Sequence, residues 1–274
     1  MLFGVSFDLS SWVSWISDLP GWFWFWSYVI VTGHITTETV TIYLHRYQTH
    51  RSVLYLAPLV EHLCRFWGWF FTSINTRQWV SVHRKHHHLV DKKGDPHSPF
   101  MEGIFPILFA GVWYYRREAH NPETIKNYQL PTLPNDWMEK NIYVPFQYVG
   151  VLVLLAINIS FCAWKFDWWW GVVAWALQMI WIPFFAAGVL NGLGHYFGYR
   201  NFETKDASRN IHIFSWVFTF LFIFTGGEEH HNNHHEETNS PKFSAKWWEF
   251  DISWLYLKLL EAFGLAKLRP VRIM

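Results

Sequence analysis

Two histidine triplets in this chain follow one pattern: His83-Arg-Lys-His86-His87 and His231-Asn-Asn-His234-His235 both read H-x-x-H-H. A third pair, His45 and His50, is five residues apart, and His195 stands by itself with Asn191 one turn before it. On a helix, positions i, i+3 and i+4 lie on one face. Each triplet is therefore expected to aim three imidazoles at a common point. A separation of five does not hold one face of a regular helix, so the first pair is expected to span a helix end. Nine imidazoles without a neighbouring thiolate are a metal-binding set. A single zinc needs about four ligands, so nine argue for two metals. Imidazole suits iron, and open positions would leave room for dioxygen.

Soluble di-iron bundles use Glu and Glu-x-x-His ligands, and this chain has few acids near its motifs. Asp95, Glu228 and Glu229 are candidates to hold imidazole N–H groups in place. Glu38 joins them because an ionisable group inside an apolar stretch is a functional hypothesis by default. The remaining histidines, His34, His62, His88, His97, His120, His212 and His230, are read as ordinary interfacial or core residues.

The elements that must position these side chains belong to a membrane. Hydrophobic residues make up 51% of the chain and charged residues 16%, against about 25% charged in soluble domains. Twenty tryptophans fit a long boundary with lipid headgroups. The net charge of +1 and the lack of a basic stripe give nucleic-acid binding no support. Cys64 and Cys162 are read as reduced thiols. The first twenty residues contain Asp8 and Asp18 but no Lys or Arg, which argues against a secretory signal.

Three stretches, at 22–44, 142–164 and 168–190, are long and apolar enough to span a bilayer. The last two are separated by Lys165, Phe166 and Asp167, a tight hairpin. Of 22 Lys and Arg residues, all but Lys165 lie in 45–140 or 195–274, and those segments are expected on the cytoplasmic side. The segment 51–82 joins two motifs that must share a site and is too short for two crossings. It is therefore expected to be a helix lying in the interface or packed beneath the membrane. Residues 211–225 and 247–265 are read the same way, and 121–140 as an exposed polar loop. The fold expected is one all-α integral-membrane domain over 1–274. It has about three spans, interfacial helices and a histidine-rich cytoplasmic cap.

The motif order H-x4-H, H-x-x-H-H, H-x-x-H-H resembles the membrane-bound fatty acid desaturase superfamily. Asn191-Gly-Leu-Gly-His195-Tyr-Phe-Gly198-Tyr-Arg200, Asp95-Pro96-His97 and Gly227-Glu228 resemble its stearoyl-CoA desaturase branch. The likeness is greatest to short bacterial enzymes acting at Δ9 positions, and it covers the chain from Trp22 onward. The resemblance implies a di-iron site held by His45, His50, His83, His86, His87, His195, His231, His234 and His235, with Asn191 acting through water. It implies O2-dependent insertion of a cis double bond into the acyl chain of a phospholipid or acyl-CoA. Electrons would come from an external carrier such as a ferredoxin or rubredoxin with its reductase. The expected location is a bacterial inner membrane with the active site facing the cytoplasm. Animal members have two spans before the first motif where this sequence has one, so their acyl-CoA contacts do not carry over. Hydroxylation or decarboxylation by related di-iron chemistry is the main alternative, with a membrane zinc hydrolase and a metal transporter behind it. A transporter would place its ligands near the bilayer midplane, whereas these motifs lie mainly outside the apolar stretches.

Overall fold

A computed structural model describes residues 19–165, 167–211 and 224–272. The first long element is a helix, α1 (Gly21–Glu38), which continues without a break into a π-helical segment, π1 (Thr39–Thr49). Its outward face carries Trp24, Val31 and Ile35, and its inward face buries Val29, Thr32 and Thr36. Thr32 and Thr36 satisfy their hydroxyls on carbonyls one turn back, the usual way an apolar helix tolerates threonine. In π1 the backbone bonds run from i+5 to i, shown by His50 N–H donating to the His45 carbonyl at 3.0 Å. As expected, the pair spans a helix end: His45 lies inside π1 and His50 is its C-cap. A π turn stacks residues five apart on one face, and the two rings lie 4.7 Å apart by centroid.

The expected hairpin is formed by α7 (Val149–Lys165) and α8 (Trp169–Ile182). Gly171 permits their close approach, because a Cβ there would meet the Asn158 carbonyl oxygen at 2.4 Å. The α8 helix runs on through a second π segment, π3 (Pro183–Leu193), and one last turn, α9 (Gly194–Tyr196). Residues 169–196 form the one helix among those described that is long and apolar enough to cross a membrane. Residues 149–164 are apolar but shorter, and the helix begins at Val149 rather than at 142. Residues 139–143 ahead of it are a short π turn, π2 (Glu139–Tyr143).

The segment 51–82 is not one flat helix. It divides into β1 (Val53–Leu56), α2 (Pro58–Thr72) and the start of α3 (Thr76–Leu89). Local chemistry sets the breaks. Pro58 supplies a preset φ at a helix start, Ser73 ends α2 in the left-handed region at φ 54, and Asn75 caps α3 by accepting from Gln78 N–H at 3.1 Å. The α2 helix packs its Trp69–Phe70 backbone on Gly150 of α7 and turns Leu59, Leu63 and Phe66 outward. The all-α expectation needs one addition. β1 pairs antiparallel with β2 (Ala266–Leu268), tying the end of the chain to the first histidine pair.

Between the motifs lie α4 (Pro99–Glu102), α5 (Ile104–Ala119) and α6 (Pro122–Tyr128). The polar loop expected at 121–140 therefore opens with a helix. The α5 helix presents Phe105, Phe109 and Trp113 outward at helical spacing and packs its other face on π3. Gly111 and Gly188 allow that contact. The third motif sits on a six-residue helix, α10 (His231–Glu236), and α11 (Ile252–Ala262) follows within the expected 247–265 segment. Most of 211–225, and the role of the first residues, fall outside the described residues.

Candidate metal centre

The nine imidazoles converge as two groups. One group contains His45, His50, His83, His87 and His234, and the other His86, His195, His231 and His235. Each triplet is therefore split between two centres, which corrects the common point expected for each. At about 100° per residue, i and i+4 stand about 40° apart, while i+3 falls about 60° to the other side. His83 and His87 share the first group while His86 turns to the second. In α10 the roles reverse, with His231 and His235 in the second group and His234 in the first.

The nitrogen contacts are those of cages. In the five-membered group, His45 Nε2 lies 3.0 Å from His234 Nε2, and His234 Nε2 lies 3.1 Å from His87 Nε2. His83 Nε2 is 3.0 Å from His87 Nε2 and 3.1 Å from His50 Nε2. A ring nitrogen carries either one hydrogen or one lone pair, so hydrogen bonds cannot satisfy His234 or His83 toward two partners each. A shared cation satisfies all of them. With metal–nitrogen bonds of about 2.1 Å, nitrogens at right angles stand about 3.0 Å apart and tetrahedral ones about 3.4 Å apart. The observed spacings of 3.0 to 3.1 Å follow the right-angle value. In the second group, His195 and His231 bring their Nε2 atoms to 2.9 Å. The Nε2 atoms of His86 and His235 are buried without a hydrogen-bond partner. Both groups fit a metal ion.

Four carboxylates fix the tautomers from behind. Nδ1–H of His45 donates to Glu228 at 2.7 Å, that of His86 to Asp95 at 2.9 Å, that of His195 to Asp91 at 3.0 Å and that of His235 to Asp206 at 3.1 Å. Such bonds commit the Nε2 lone pair to the metal. Asp95 and Glu228 were legible beside their motifs. Asp91 and Asp206 were not, although Asp91 lies just past the end of α3 and four residues before Asp95. Glu229 instead accepts from Thr225 at 2.5 Å, and Glu38 from Ser253 at 2.6 Å. Thr41 bonds Glu228, and Asn191 lines the cavity beside these imidazoles. His97, read as ordinary, is buried 4.5 Å from the His86 ring and takes part in a tight His86–Asp95–His97 cluster.

Two further devices hold the cap. Arg46 and Asp251, both fully buried, form a two-point ion pair at 3.0 Å that locks the first motif to the start of α11. The two residues inside the third motif, Asn232 and Asn233, anchor a helix too short to stand unaided. Asn232 Oδ1 accepts from the Asn201 and Phe202 N–H groups, both at 2.9 Å. Asn233 donates to Glu249 and to the Phe243 carbonyl, both at 2.9 Å.

Burial disfavours the charged form of these rings. It pushes His235 down to about 4 although Asp206 pulls the other way, and it holds His50, His83, His87, His231 and His234 well below the usual histidine range. His86 differs: burial opposes its charge, but Asp95 beside it outweighs that and raises it. In the unfolded chain these side chains titrate near 6.5. Below about pH 6.5 the unfolded state therefore binds protons that the native cages refuse, and stability is lost as pH falls toward about 4. Thermal unfolding of metal-stripped protein in detergent should show a midpoint that drops across this interval. A midpoint independent of pH there would contradict neutral cages.

Beside the cages lies a cavity of about 370 Å³. One face of the α8–π3 helix lines it at helical spacing, through Trp175, Gln178, Met179, Ile182, Ala186, Leu190 and Asn191. His45, His83 and His231 border it at one end, and the exposed Arg116, His120 and Tyr148 border it where it reaches the surface. Trp79, stacked on His83 with ring centroids 4.7 Å apart, forms part of the wall.

Apolar helices that carry paired all-imidazole cages beside a cavity define a helical protein whose side chains could hold metal. Residues 20–270 match the family model described as fatty acid desaturase, and the chain belongs to that family. It is 29% identical over 269 residues to Delta-9 acyl-lipid desaturase 2 of Arabidopsis thaliana, covering 96% of this chain and 81% of that one. It is 30% identical to Delta-9 desaturase-like 4 protein of the same plant, covering 86% of this chain and 73% of the other. The sn-1 stearoyl-lipid 9-desaturase of Anabaena variabilis is 28% identical over 83% of this chain and 76% of its own length. Family membership makes the protein an oxidoreductase of the desaturase type.

Proposed function

We propose that this protein is a multi-pass membrane enzyme that uses dioxygen to place a cis double bond, at the Δ9 position, in a saturated acyl chain of a membrane lipid. The observation that carries the reading is the pair of imidazole cages bordering a cavity lined mainly by apolar side chains. Its relatives' names supply the substrate class, an acyl chain carried by a lipid. His45, His50, His83, His87 and His234 would hold one iron, and His86, His195, His231 and His235 the other, with Asn191 as a further holder through water. Iron bound in these cages supplies, with dioxygen, the oxidising power to remove hydrogen from an unactivated CH2 group. One hydrogen leaves each of two neighbouring carbons. Two further electrons and two protons complete the reduction of dioxygen to two waters, and an external carrier such as a ferredoxin or rubredoxin delivers the electrons.

The chain's own residues orient and exclude. A methylene tail offers no polar handle, so walls from Trp79, Ile182, Ala186 and Leu190 set which bond lies beside the cages. Confinement of the tail keeps bulk water from the reacting carbons. Asp95, Asp91, Asp206 and Glu228 hold four rings with Nε2 directed inward and keep the proton on Nδ1. Residues 1–274 form a single domain whose cages face the cytoplasm. The outward aromatic faces of α2 and α5 support helices lying at the membrane surface.

Expression in a bacterial host with saturated lipids, followed by mass spectrometry of intact lipids and released fatty acids, tests the proposal. A monounsaturated tail on phospholipid, absent from the empty-vector host, is the expected result. A hydroxylated tail or a terminal alkene in its place would reject desaturation.

A further inference from the structure

We infer that Gln178 and Trp175 form the closed floor of the cavity and set the longest acyl tail the enzyme accepts; this rests on the desaturase reading above. The lining positions on α8 and π3 run from Asn191, beside the imidazoles, back to Trp175, and none lies between Trp169 and Ala174. The lining therefore follows several turns of this helix away from the imidazoles. No α1 residue contributes to the lining, which begins on that helix at Val40 in π1. The cavity reaches the surface at Arg116 and Tyr148, whereas Gln178 is only 3% exposed.

Both floor side chains are pinned. Gln178 donates through Nε2 to Thr32 Oγ1 at 3.1 Å and accepts at Oε1 from Asn158 Nδ2 at 2.9 Å. Asn158 Oδ1 in turn accepts from the Tyr28 hydroxyl at 2.7 Å. This closed polar knot joins α1, α7 and α8, and a buried amide with both ends satisfied cannot swing aside without leaving partners unpaired. Trp175 donates from Nε1 to the Val151 carbonyl at 2.8 Å. A fixed floor rejects any tail that needs one more methylene of depth, and an unseated methylene costs about tenfold or more in preference.

The test uses the full chain in membranes of a host fed a graded series of saturated fatty acids, with chain length of the unsaturated products read by mass spectrometry. Gln178→Ala and Trp175→Phe each deepen the cavity and should raise the longest-tail product, relative to the preferred one, by about tenfold. Trp168→Phe changes an exposed ring that neither lines the cavity nor joins the knot, so its product profile should stay that of the wild type. Should Gln178→Ala fail to accumulate, Trp175→Phe decides. A shift in either floor variant with none in Trp168→Phe supports the inference. An unchanged profile in every floor variant that accumulates and makes product overturns it, as does an equal shift in Trp168→Phe. A wild-type chain that makes no unsaturated tail would instead reject the desaturase reading.

Discussion

His234→Ala should reduce desaturation to below about 1% of wild type, because losing a direct holder of the metal exceeds the 10–100-fold cost of losing a supporting group. His234 is the one third-motif ring in the five-membered group, and its Nε2 bridges the nitrogens of His45 and His87. Removing it opens that cage at its centre. His86→Ala does the same to the other cage, where its Nε2 is buried with no other partner. Both variants should still accumulate in the membrane fraction and elute as a monodisperse species in detergent, with iron per chain reduced in elemental analysis. His62, exposed and remote from either group, is the control, and His62→Ala should behave as wild type. Full activity in either cage variant would refute the ligand assignment.

Asp95→Asn and Asp206→Asn should lower iron retention by about 10–100-fold while leaving all nine imidazoles in place. Each substitution keeps the side-chain shape but removes the charge that holds a proton on the Nδ1 of His86 or His235. Titration with a chelator, followed by iron and product analysis, reads the effect. Glu229→Gln is the informative comparison. Its carboxylate is next in sequence to Glu228, yet its hydrogen bond is to Thr225 rather than to a caged ring, so its loss of iron should be much smaller. Equal losses at Glu229 and Asp206 would mean that general charge, rather than ring orientation, controls retention.

The His83–His86–His87 and His231–His234–His235 patterns pointed to the imidazoles that the fold gathers, because an imidazole's chemistry is local and its spacing on a helix is periodic. Asp95 and Glu228 were legible because they lie within a few residues of a motif. Asp206 was not: it is 29 residues from the His235 it supports, and no periodicity connects them. The α5 helix was also passed over, since its Phe105, Phe109 and Trp113 face outward among charged residues and fall short of a span.

By itself, then, the sequence singled out the nine imidazoles that the fold gathers, and roughly where the apolar segments lie. Those properties reside in side-chain type and short-range order. Only the tertiary structure decided how the nine rings divide, five against four, and which acids stand behind them. The division depends on the relative rotation of π1, α3 and α10, and on a π register in which residues five apart meet. Rotation between helices is set by long-range packing, such as the Arg46–Asp251 pair and the Asn233 network, and no local pattern encodes it.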